Sequence, residues 1–114
     1  MSAYSELMAN AIAPLGLACS EEPMLSPPAG AAYITWRNLG EANVIASGRV
    51  YERRTEMSVK LLALPGGGWQ PLADRLVERL KDAGLYGVRR AAEMWDEEKG
   101  RRVIIIGCYV KDED

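Results

Sequence analysis

The chain contains no histidine. Ser-His-Asp and Cys-His catalysis are thereby removed, together with every histidine-based metal site. Cysteine is nearly as scarce, with Cys19 and Cys108 the two present. Two thiols cannot build a cysteine-rich zinc centre. They stand far apart among apolar residues, so they read as reduced, buried thiols rather than as a disulfide. No apolar run approaches the roughly 20 residues that a membrane helix needs. The start, "MSAYSELMANAIAPLG", lacks the basic opening and continuous apolar core of a signal peptide, so an intracellular location is expected. Charge of one sign is not in excess either. The 14 basic and 16 acidic residues leave a net charge of −2, and bulk attraction to nucleic acid or anionic lipid is not expected. An enzyme with this composition would have to rely on carboxylates, lysine or a borrowed cofactor.

What is present is ordinary for a folded domain. The 114 residues are 48% hydrophobic and 26% charged, which predicts one globular domain over residues 1–114. A chain of this size buries roughly two-thirds of its unfolded surface without needing a metal or disulfide.

Residues 5–13 predict a short helix with Leu7, Met8, Ala11 and Ile12 on one face, Ser5 as N-cap and Pro14 as its stop. "GLAC" follows as a short strand. Residues 20–31, "SEEPMLSPPAGA", carry three prolines and read as a surface crossing loop. "AYITWR" (32–37) is a strand by its β-branched and aromatic content. Residues 38–49, "NLGEANVIASGR", read as a loop with a brief strand at Val44–Ile45. Residues 50–64 are the longest strand candidate, with Met57, Val59, Leu61 and Ala63 alternating with polar residues. Fifteen extended residues span about 50 Å, more than the body can cover, so the polar half, "YERRTE", is expected to project. Residues 70–83 form the main helix, with Pro71 in its first turn and Gly84 just past its end. "VRRAAEMW" and "RRVIIIGCYV" then make a hairpin around "DEEKG". The last strand is apolar on both faces and is expected to be central and covered on both sides. Residues 111–114 read as a solvated tail. The expected fold is α+β: an antiparallel or mixed sheet of about four main strands, two helices packed on one face, and a long projecting strand or hairpin.

"PGGGWQP" (65–71) has the strand–glycine–helix order of a phosphate loop but not its chemistry. No lysine or hydroxyl residue follows Gly66-Gly67-Gly68, and Pro71 removes an N–H donor at the helix start. The stretch reads as a loose corner. Glu93, Asp96, Glu97 and Glu98 cluster around a hairpin tip, where a solvated charged turn is a simpler reading than a metal site. Arg53-Arg54, Arg89-Arg90 and Arg101-Arg102 each place one arginine on each face of a strand, so none builds an unopposed basic stripe. Glu and Arg alternating on a projecting strand instead suit pairing with another copy. Trp36, Trp69 and Trp95 are core or rim candidates, with Trp69 and Trp95 at element ends where a tryptophan can anchor an interface.

Three segments carry a resemblance by their order and spacing: Tyr33-Ile34-Thr35-Trp36 after the proline-rich crossing, the helix running into "AGLYGV", and Glu93 to Gly100 before the last strand. Over about residues 4–111 the chain resembles the tail-completion, or tail-terminator, proteins of long-tailed bacteriophages and prophages, a group that includes head-to-tail joining proteins. The resemblance implies a structural protein without catalytic residues, cofactor or metal. Such proteins form a ring, commonly hexameric, that caps the tail tube and faces the head connector. The implied partners are other copies of the chain, the tail tube protein and a neck protein. No membrane and no sequence-specific nucleic acid are among them. Expected subunit contacts are the strand from Glu52 through Arg53 and Arg54 to Glu56, the 38–49 loop ending in Arg49, and Trp95. Two rival readings stand beside this one. The first is a small dimeric ligand-binding or regulatory domain with a pocket near the glycine corner. The second is a minor enzyme using Glu93 or Asp96, for which no second catalytic group is in view.

Overall fold

The structure is a computed structural model that describes residues 4–66 and 68–112. Gly67 of the glycine corner, the first three residues and the last two lie outside the described residues. The chain is α+β. Helix α1 (Ser5–Ile12) runs into a 3₁₀ turn (Ala13–Leu15), followed by strand β1 (Ala18–Glu21), β2 (Tyr33–Ala46) and β3 (Arg49–Ala63). Helix α2 (Trp69–Asp82), β4 (Tyr86–Asp96) and β5 (Arg101–Asp112) complete it. The strands form one five-stranded sheet in the order β1-β2-β3-β5-β4. The sheet is mixed, since β1 runs parallel to β2 while the other neighbours are antiparallel.

The sheet is larger than the four main strands expected from the sequence. The short strand expected at "GLAC" is present as β1 and joins the sheet as its fifth strand, pairing with the root of β2 through Ala18–Glu21. Residues 38–46, expected as a loop, continue β2 instead and lengthen it. Gly40, at φ 102°, is absorbed as an irregularity between Asn38 and Gly40 while pairing with β3 resumes on either side. The reversal is confined to Ser47 and Gly48, whose φ values of 53° and 74° match the two-residue turn that strand twist favours. The expected tail is also partly wrong, because Lys111 and Asp112 end β5 opposite Arg54 and Arg53. Asp112 accepts hydrogen bonds from Tyr4 Oη (2.9 Å) and Thr55 Oγ1 (3.0 Å), which ties the last strand to the start of α1.

Ser5 is the first helical residue rather than the cap. Tyr4 precedes the helix and makes no side-chain cap bond. Pro14 sits in the 3₁₀ turn, and Gly16 at φ 70° turns the chain away. The start of α2 is uncapped by any side chain, with Gly68 at φ 96° before it. Its end follows expectation: Gly84 N–H bonds Lys81 O (3.0 Å) and Leu85 N–H bonds Leu80 O (3.2 Å).

One hydrophobic cluster joins Met8 and Ile12 of α1 and Leu76 and Leu80 of α2 to Ile34, Met57, Val59, Leu61, Ile104 and Ile106 of the sheet. The sheet members alternate along each strand, so they share one face. The opposite face carries a smaller cluster of Tyr33, Leu62 and Val103, with Met24 of the crossing loop packed against it. β5 is central, as expected, between β3 and β4. The two cysteines are free. They lie on β1 and β5, three strand positions apart, or about 14 Å, beyond the reach of a disulfide. Burial pushes both thiols up to about 11.

Candidate assembly surface

β5 covers β3 no further than Arg53, and β1 covers β2 only from Tyr33 to Trp36. Residues 44–52 therefore stand clear as a two-stranded hairpin, and the molecule measures 49 Å along its long axis against 26 and 25 Å across. The projection expected from the sequence is present, but it lies earlier in the chain. The free part is Val44–Glu52, not Glu52–Glu56. Its tip is apolar, unlike the polar "YERRTE" run expected to project: Ile45 is 62% exposed and its register partner Val50 is 48% exposed, with Val44 beside them. Arg49 is exposed at the turn, opposite Ala46.

The charged residues expected to reach out are largely engaged within the chain. The Glu52 carboxylate accepts from Arg54 Nε (2.8 Å) and pairs with Arg54 Nη2 (2.7 Å) and Lys111 Nζ (3.2 Å). The Arg54 guanidinium, with a smaller contribution from Lys111, holds that carboxyl below the usual carboxylate range. Arg54 also lies 4.1 Å over the Tyr109 ring, and Lys111 4.3 Å over Tyr86. The two tyrosine rings stack at 5.7 Å. These groups sit on the sheet face opposite Met57, Val59, Ile104 and Ile106. Glu56, half-buried, faces Tyr109 in register on that same side. Arg53, next to Arg54, points to the other face. The sequence reading began β4 at residue 88 and ended β5 at residue 110, which left out Tyr86 and Lys111, and it gave Tyr109, inside its last strand, no role. Gly87 was the available signal: at φ 61°, a Cβ there would stand 2.7 Å from Tyr109 Cε1.

Trp95 lies at the opposite end of the sheet, in register with Arg102, which in turn pairs with Ala63. Trp95 and Met94 are each 48% exposed. They belong to β4, which bonds β5 on one side and leaves its other edge open. The turn after them holds Asp96, Glu97 and Glu98. Asp96 Oδ1 accepts the Lys99 N–H at 3.0 Å, and Glu93 pairs with Arg102 across the strands. Among the described residues there is no group of three potential metal ligands. The structure thus does not gather the expected interface residues into one patch. It separates them into a tip and a far edge.

At the Trp95 end, where β5 begins in register with Asp96, Arg101 does something the sequence did not signal. It is only 5% exposed. Its guanidinium donates to the carbonyls of Pro28 (2.7 Å), Ala29 (3.0 Å) and Ala31, and lies 5.0 Å over the Tyr33 ring. One fork therefore fastens the proline-rich crossing to the sheet. Glu22 anchors the start of the crossing, pairing with Lys60 (3.2 Å) and accepting from Thr35 Oγ1 (3.1 Å). A recess of about 330 Å³ opens beside it, lined by Glu22, Met24, Tyr33, Thr35 and Lys60. The recess at the glycine corner is smaller, about 170 Å³, lined by Ala32, Leu64, Trp69 and Leu72. No helix is long and apolar enough to cross a membrane.

Comparison with protein-family models, with curated proteins and with solved structures gives no match to this chain.

Proposed function

We propose that this chain is a structural assembly protein of a phage or prophage tail. Copies form a ring, commonly hexameric, at the end of the tail tube, stop its growth and present a surface to the head connector. The reading assigns no catalytic step, cofactor or metal, and places assembly in the bacterial cytoplasm. The observation that carries it is the hairpin of residues 44–52, which leaves a small body and ends in exposed apolar side chains. Apolar surface held out on an arm has no use within its own chain and suits a partner. The order of segments that resembles tail-completion proteins supports the same reading. We infer further that both helices cover a single face, since their buried side chains enter one cluster with the same sheet residues. The stacked tyrosine face is then left for contacts across the assembly.

The test is tube growth. Tail tubes polymerised with the purified chain should stop short and carry a cap visible by electron microscopy. Tubes that elongate normally in a molar excess of the chain contradict the proposal. The recess beside Glu22 and Lys60 favours a second reading, a small-ligand domain acting as a dimer. That reading requires a ligand-induced rise in melting temperature, which Lys60→Ala would remove.

A further inference from the structure

The tip and the far edge are unlike surfaces at opposite ends of a 49 Å molecule. The tip presents Val44, Ile45 and Val50 with Arg49, which has no ion-pair partner among the described residues. The far edge presents Met94 and Trp95 on an open strand, next to the exposed acids Glu97 and Glu98, which outweigh the exposed Lys99 of the same turn. Each surface offers apolar area, and their charges are opposite. Tip against tip would oppose two Arg49 side chains. Edge against edge at Met94 and Trp95 would bring two acidic turns together. Like charges so placed repel, whereas tip against edge pairs Arg49 with the acidic turn.

We propose that the hairpin tip of one copy docks on the Met94–Trp95 edge of the next. Ile45 and Val50 lie against Trp95, and Arg49 reaches Glu97 or Glu98. The contact is heterologous: each copy uses its tip once and its edge once. Repetition of such a contact gives a closed ring if the rotation closes and a filament if it does not. The occupant of both surfaces is a second copy of this chain, and the proposal rests on the ring reading above in taking the closed case.

Cross-linking between separate chains tests it. Ile45→Cys and Trp95→Cys, which share the face of the proposed contact, are made in different chains, and both positions are exposed, so neither substitution disturbs the core. The mixed chains, once oxidised, should give a disulfide-linked pair that neither variant gives alone or with the unsubstituted chain. A chain carrying both substitutions should give a ladder of multimers. A mixture without the linked pair overturns the contact, as does Ile45→Cys linking chiefly to itself. Independently, Arg49→Glu should weaken association about fivefold, the upper range for an exposed ion pair. Glu97→Arg with Glu98→Arg should restore it in that background. Failure to restore contradicts the charge assignment. Chains that link head to tail but leave tubes growing keep this contact and overturn the tail-capping reading. Chains that cap tubes without the link overturn the contact alone.

Discussion

The root and the tip of the long β2–β3 hairpin are continuous in the chain but differ in what holds them. At the root, Ile34, Val59 and Leu61 lie between helices and neighbouring strands and are wholly buried. Each such side chain contributes about 1.5–3 kcal/mol relative to exposure. At the tip, the same residue types, Val44, Ile45 and Val50, stand in water and contribute little to folding. Similar sequence thus has two uses, decided by whether a third strand and a helix happen to cover it. A tip of this kind is retained by contact with something else, or else it is a liability.

The contrast can be broken at several strengths. The largest effect belongs to the root. Leu61→Ala or Leu76→Ala should cost about 2–5 kcal/mol in denaturant unfolding, whereas Ile45→Ala should stay within about 0.5 kcal/mol. Equal losses at the two sites would erase the distinction. Next is the arm. Arg101→Met strands the carbonyls of Pro28, Ala29 and Ala31, and should cost about 1–3 kcal/mol while opening residues 22–32 to protease. Arg101→Lys should recover only part of this, because an ammonium lacks the planar fork. A smaller loss, about 1–2 kcal/mol, is expected from Gly87→Ala, which both strains a positive φ and presses on Tyr109. Near-UV dichroism of the stacked tyrosines should change with it, and an unchanged spectrum would mean the ring contact is not tight.

The smallest effect concerns the thiols. A thiol near 9 when unfolded and about 11 when folded binds more protons in the native state between those values. Stability from this source is complete below pH 9 and is lost as pH rises through 11. At pH 8 the folded thiolate fraction is roughly a hundredfold below that of the unfolded chain, so alkylation should be correspondingly slow. Rapid labelling of Cys108 in the native protein would show that the root opens easily.

Much of the body was legible in the sequence, because its signals are periodic. Leu76 and Leu80 repeat at helical spacing, Met57 to Ala63 alternate, and Gly84 ends its helix as the pattern implies. The tip was misplaced because composition and pairing disagree there. Asn38, Gly40 and Asn43 look like loop residues, yet β3 supplies hydrogen-bonding partners that carry the strand through them. Residues Arg53, Arg54 and Glu56 look like an exposed polar run, but β5 lies alongside, and Arg54 is spoken for by Glu52 and Tyr109. Arg101 was illegible for a different reason. An arginine at a strand start is ordinary in sequence, and its role depends on carbonyls some 70 residues away. Of the expected interface, Arg49 and Trp95 are the residues the geometry leaves free to reach a partner.

The most direct measurement is the mass of the chain in solution by sedimentation over a wide concentration range, with and without tail tubes. The account predicts either a closed ring that forms as concentration rises, or a monomer that becomes a ring on tube ends. In both cases Arg49→Glu should shift the transition to higher concentration. A fixed dimer, unchanged by tubes and by Arg49→Glu, would contradict it.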